Sequence, residues 1–130
     1  MKVKKLALGV LLSALVATGS VYAGSTYQGF DVTIGKLAGN VATGNQTKQT
    51  GGANGALKST FNGGGYYYSA RMEKTNGSAP GAWARKITQG KTVTLPGNSS
   101  QYKNSKIRVK MQSQWNQPVN FTVRGQWKSN

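Results

Sequence analysis

Cysteine and histidine are both missing from the 130-residue chain, and its acidic side chains are limited to Asp31 and Glu73. Each absence removes a class of chemistry. Without thiol or imidazole there is no Cys- or His-based nucleophilic catalysis, no zinc site of the usual ligand set and no disulfide framework. Two carboxylates leave a hard-cation cage short of oxygen ligands. A paired-carboxylate hydrolase would need both acids to meet across the fold, with no further acid nearby to tune them. Ser100 and Lys103 match the S-x-x-K spacing of Ser-Lys acyl enzymes, but that pattern works on one helical turn, and the flanks "PGNSS" and "NSK" read as loop. The Gly-rich "NGGGY" from Asn62 lacks the Lys-Ser/Thr of a phosphate loop and reads as a hairpin turn. The chain is therefore expected to be no enzyme, with neither metal nor cofactor.

Long hydrophobic runs are also scarce. The exception is "LALGVLLSALVA", residues 6–17, preceded by Lys2, Lys4 and Lys5 and followed by Val21 and Ala23 at small-residue positions. That order is the signature of a secretory signal peptide cleaved after Ala23, and 12 apolar residues fall short of the roughly 20 that span a bilayer. Residues 1–23 are thus read as a signal peptide and 24–130 as one secreted domain, long enough to fold by packing alone. After export, 14 Lys and Arg face two acids, a formal net charge of +12. Such an excess bears on partners rather than on fold. Outside a bacterial cell the available polyanions are teichoic acids, acidic polysaccharide, anionic lipid head groups and extracellular nucleic acid.

Helical periodicity is absent beyond the signal segment. What recurs is alternation of period two between turn-rich stretches, the mark of half-buried strands. "GFDVTIG" sets Phe30, Val32 and Ile34 to one side, and "ALKSTF" offers Leu57 and Phe61. "GYYYSARME" sets Tyr66, Tyr68, Ala70 and Met72 against Tyr67, Ser69, Arg71 and Glu73. "AWARKIT" puts Trp83 and Ile87 on one face, and "KTVTL" supplies Val93 and Leu95. "SKIRVKMQSQ" turns Ile107, Val109 and Met111 inward, while "PVNFTVRGQW" aligns Val119, Phe121, Val123 and Trp127. About seven short strands predict an all-β, small antiparallel β-sandwich. Residues 36–56, rich in Gly, Asn and Thr, are expected to form a mobile loop or a poorly ordered edge strand.

Cations alternate with this inward set. Lys106, Arg108 and Lys110 share the outer face of one strand, with Lys103 just before it, and Arg124 and Lys128 sit on the outer face of the last. If these strands are neighbours, the six form one patch that binds polyanions with strong salt dependence. Aromatics add to the picture. Three consecutive tyrosines cannot all face inward, so Tyr67 is the exposed candidate, beside Arg71. Trp115, in the polar "QSQWNQP", is the other. Exposed rings beside cations suit sugars, nucleobases or the lipid head-group zone.

At "TVRGQW" (122–127), together with "TGG" at 50–52 and the basic strand, the chain resembles small Sec-secreted β-proteins of Gram-positive bacteria of unknown function, which end in a similar strand with a Gly two residues before a Trp. It is more faintly similar to the secreted β-sandwich bacteriocins of the lactococcin 972 type, which are aromatic-rich and free of Cys. The resemblance implies a secreted cationic protein acting at bacterial cell envelopes, bacteriocin-like and antimicrobial. The alternative is a polyanion-binding or structural protein of the producer's own wall, held there by charge.

Overall fold

The computed structural model describes residues 22–130; the signal segment read above lies, but for its last two residues, outside the described residues. The chain is all-β, a two-sheet sandwich. Its strands are β1 (Tyr22–Ala23), β2 (Gln28–Ile34), β3 (Asn40–Ala42), β4 (Gln46–Thr47), β5 (Gly55–Asn62), β6 (Tyr68–Lys74), β7 (Ala84–Ile87), β8 (Thr92–Leu95), β9 (Lys106–Gln112) and β10 (Phe121–Lys128). The seven expected strands are β2 and β5 to β10. One sheet runs β1-β4-β9-β6-β7, with β3 pairing further along the same edge of β9; the other runs β2-β10-β5-β8. Neighbours are antiparallel except β1 and β4.

The alternation places the core. Ile107, Val109 and Met111 from β9 and Tyr68, Ala70 and Met72 from β6 meet Phe30, Leu57, Val123 and Trp127 of the opposite sheet, nearly all without exposed surface. Burying each large apolar side chain contributes about 1.5–3 kcal/mol. A polar chain also crosses this interior. Tyr68 donates its hydroxyl to Ser59 Oγ (2.8 Å), Ser59 donates to Asn62 Oδ1 (2.6 Å), and Asn62 Nδ2 donates to the carbonyls of Tyr66 (2.8 Å) and Ile87 (3.0 Å). Tyr68 and Ile87 belong to one sheet and Ser59 and Asn62 to the other, so the network ties the sheets in one register. Burial pushes the Tyr68 hydroxyl up to about 12, against a smaller opposing effect of its bond to Ser59.

Several expectations need correction. Residues 36–56 are not a loose loop: β3 and β4 lie there in tandem along β9, and Gln46 and Lys48 point into the sandwich with no exposed surface. Gln46 Nε2 donates to the Trp127 carbonyl (2.9 Å), and its Oε1 accepts the Ser129 amide (2.8 Å). Lys48 Nζ donates to the carbonyls of Ala53 and Ser129, both at 2.5 Å. These side chains add to the strand pairing of β4 and clamp the end of β10. The Gly63–Gly65 turn joins β5 of one sheet to β6 of the other, so it is a crossover and not a hairpin turn. Val119 precedes β10 and is exposed. Phe61 is exposed as well, because the register of β5 against β10 shifts between Arg124 and Gly125 and turns it outward.

Candidate functional site

The outer face of the β9–β6–β7 sheet gathers cations and aromatics from four separate stretches. In β7 the pairing begins as Ile87 opposite Tyr68 and resumes as Ala84 opposite Ala70. Between these pairs lies one residue on β6, Ser69, but two on β7, Arg85 and Lys86. That two-against-one count is a β-bulge. Lys86 sits at φ +57, the left-handed region that costs a non-glycine residue roughly 1 kcal/mol or more. The consequence is chemical: Arg85 and Lys86 both emerge on the outer face, and Trp83 emerges with them. The expected sharing of one face by Trp83 and Ile87 is therefore overturned; Ile87 is buried and Trp83 is only half-buried. The cue was present in "ARKI", where two successive charged residues interrupt an alternating run.

A groove of about 530 Å³ opens there. Tyr67, Trp83 and Trp115 supply its aromatic walls, Ser69 and Gln112 lie between them, and Arg85 and Lys86 stand at the rim. Tyr67 donates its hydroxyl to Gln114 Oε1 at 2.7 Å. The Lys86 ammonium lies 5.7 Å from the centre of the Tyr67 ring, and the Arg71 guanidinium 4.6 Å from that of Trp83. Trp115 is 81% exposed, yet its loop is anchored. The Ala38 amide donates to the Gln114 carbonyl (2.7 Å), the Leu37 amide to that of Gln117 (3.0 Å), and Ser113 Oγ to that of Gly35 (2.6 Å). A rigid loop thus carries an open indole. The structure brings together the two aromatics that the sequence nominated, Tyr67 and Trp115, from positions far apart in the chain.

From the groove the face continues along β9. Gln112 stands opposite Ser69, Lys110 opposite Arg71, and Arg108 opposite Glu73, with Lys106 at the far end. Same-face residues two apart are spaced about 6.8 Å. The row is not three free charges, however. Arg108 grips Glu73, with Nη2 at 2.7 Å and Nε at 2.9 Å from Oε2, and Arg71 Nε lies 3.4 Å from the other oxygen. Glu73 is buried beneath the two guanidiniums, so it neutralises the middle of the row and steadies Arg71 against Trp83. Lys106 and Lys110 carry the unpaired charge.

The other cations proposed for this patch fall elsewhere. β9 and β10 belong to different sheets, so Arg124 and Lys128 face away from Lys106, Arg108 and Lys110; the single six-residue patch does not exist. Lys103 lies in the turn before β9, at the end remote from the groove. Arg124 is paired with Asp31 at 3.2 Å. The two carboxylates accordingly sit on opposite sheets, Asp31 in β2 and Glu73 in β6, and cannot act as a pair.

The strained bulge has a measurable signature. Replacing Lys86 with Gly is expected to raise the Tm by a few degrees, since glycine adopts positive φ without strain. A lowered Tm in a calorimetric scan would show that Lys86 is not held in that conformation.

No protein-family model matches the chain, and no curated protein matches it. Among solved structures it is similar to the Yersinia pseudotuberculosis-derived mitogen, at 14% identity over 81% of this chain and 86% of that one, with a TM-score of 0.49.

Proposed function

We propose that the protein is a secreted, non-enzymatic binding protein that attaches to anionic, sugar-containing polymers of bacterial envelopes through the β9–β6–β7 face. The observation that carries this reading is the groove, where three aromatic side chains adjoin Arg85 and Lys86 and lead into Lys110 and Lys106. Aromatic faces stack on the C–H face of a pyranose, the Ser69 hydroxyl and the Gln112 amide suit sugar hydroxyls, and the cations meet phosphate or carboxylate. The formal charge of +12 after export supplies long-range attraction that salt weakens. Whether attachment kills the bearer or only decorates it separates a bacteriocin-like antimicrobial from a wall-binding protein.

The test compares polygalacturonate, which has both sugar rings and charge, with polyphosphate, which has charge alone. Trp115→Ala is expected to weaken polygalacturonate binding by about tenfold or more, the loss of one exposed hot-spot ring, with little effect on polyphosphate and none on Tm. The pair Lys106→Glu and Lys110→Glu should weaken both and flatten the salt dependence. Arg108 is left in place because Glu73 needs it. Equal binding of both polymers by the Trp115 variant and its parent would sink the groove reading. Survival counts of Gram-positive cells exposed to the protein then decide between killing and retention.

A further inference from the structure

The sheet on the opposite side carries a second, smaller convergence of cations. Tyr27, just before β2, has the Lys58 ammonium 4.2 Å and the Lys128 ammonium 4.9 Å from its ring centre. Lys58 comes from β5 and Lys128 from β10, strands paired so that Gln126 faces Lys58 and Lys128 faces Ala56. Attraction to a ring face is worth only about 0.5–1 kcal/mol at an exposed site, and two ammonium groups drawn to one ring repel each other. Among the described residues no carboxylate offsets that repulsion. Asp31, the acid of this face, is taken by Arg124, and among the described residues neither lysine has a carboxylate partner. Arg124 in turn lies 5.1 Å from the ring of Phe61, which is 39% exposed. Cations beside half-open rings thus recur here on a face that looks away from the groove, and Lys58 and Lys128 are the ones without a carboxylate partner.

We infer that this face is a second anion seat, in which a carboxylate or phosphate bridges Lys58 and Lys128 over Tyr27, and that the protein cross-links acidic polysaccharide chains. The inference rests on the polymer-binding reading of the groove. Stacked sheets lie about 10 Å apart, and the outward side chains lengthen the separation further, so one short segment cannot reach both faces. Two segments bind back to back. On a long polymer that makes each protein molecule a junction between chains.

The test uses a short oligogalacturonate and a long polygalacturonate with the full secreted protein. Calorimetry is expected to show two oligomers per protein, falling to one in the Lys58→Gln/Lys128→Gln variant, which keeps much of the packing over Tyr27. The fluorescence response that depends on Trp115 should stay within about twofold of the parent's. Mixing with long polymer should scatter light most at an intermediate protein-to-polymer ratio, and the double variant should bind without scattering. One oligomer per parent molecule with the Trp115 response intact would overturn the inference while leaving the groove standing, as would undiminished scattering by the double variant. Absence of both the Trp115 response and any heat would remove the groove reading, and the cross-linking with it.

Discussion

Gly125→Ala is expected to unfold the domain, or to lower its Tm by more than about 12 °C, the shift that corresponds to a loss of at least 3 kcal/mol in a domain of this size. Gly125 sits where the β10–β5 register shifts, opposite Ser59 on one side and Phe30 on the other. A β-carbon built there collides with the Lys58 carbonyl oxygen and comes within 2.9 Å of Phe30 Cζ. The first obstacle is backbone held in a ladder, so it cannot swing aside as a side-chain tip would. Gly65→Ala is the control: its φ is +73 but nothing lies within 4 Å of the added carbon, so only about 1 kcal/mol of backbone strain is expected. If the two variants melt together, the close approach at Gly125 does not govern the fold.

The second large effect is on pH dependence. Burial lowers the Lys48 ammonium from 10.5 to about 8, because its two hydrogen-bond partners are neutral carbonyls and no carboxylate reaches it. Below pH 8 the folded and unfolded chains both hold the proton, and folding bears the whole cost of burying the charge. Between pH 8 and 10.5 the folded chain releases the proton and the unfolded chain keeps it, so stability rises with pH. A neutral amine still has two N–H donors for the Ala53 and Ser129 carbonyls, and no hydrogen bond need be lost. Lys48 has no exposed surface but lies towards the end of the sandwich, so the gain is put at about 2 kcal/mol, below the full conversion of the shift. Tyr68 acts in the opposite sense. Its hydroxyl is raised from 10.0 to about 12, so the stability it contributes is complete below pH 10 and is lost as pH climbs towards 12. Urea melts across this range should therefore peak near pH 10. Lys48→Met should abolish the rise between pH 8 and 10.5; a rise of the same size in that variant would mean that the other lysines produce it through relief of general repulsion.

Period-two alternation carried most of the sandwich because strands such as β9 and β10 place one apolar set in the core and one polar set in water, and no other element has that period. Where reading by alternation failed, the cause was physical. The stretch containing β3 and β4 shows no clear apolar face since two of its inward residues, Gln46 and Lys48, are polar and are satisfied by backbone groups of the chain end and of Ala53, a pairing that exists only after folding. Phe61 and Trp83 lie on the side opposite to the one simple alternation gives, because a bulge inserts one residue into the count. The cationic patch was half legible: alternation places Lys106 and Arg124 on outer faces, but says nothing about which sheet each strand joins. Glu73 was visible as one of two acids, but its burial under Arg71 and Arg108 depends on β6 pairing with β9, a contact between residues 35 positions apart.

The extra residue in β7 has a consequence for how such a site could arise or vanish. Substitutions at Arg85 or Lys86 change the chemistry at the rim but leave Trp83 outside. Deleting either one restores simple alternation, and a one-residue slip sends every side chain on the shifted side to the other face. Trp83 would then turn towards an interior already filled by Met72 and Ile87. In-frame loss or gain of a single codon, and not point mutation, is thus the genetic step that would erase or install this groove. Variation in the length of the 82–88 segment should therefore track changes in what the protein binds more closely than variation in its composition.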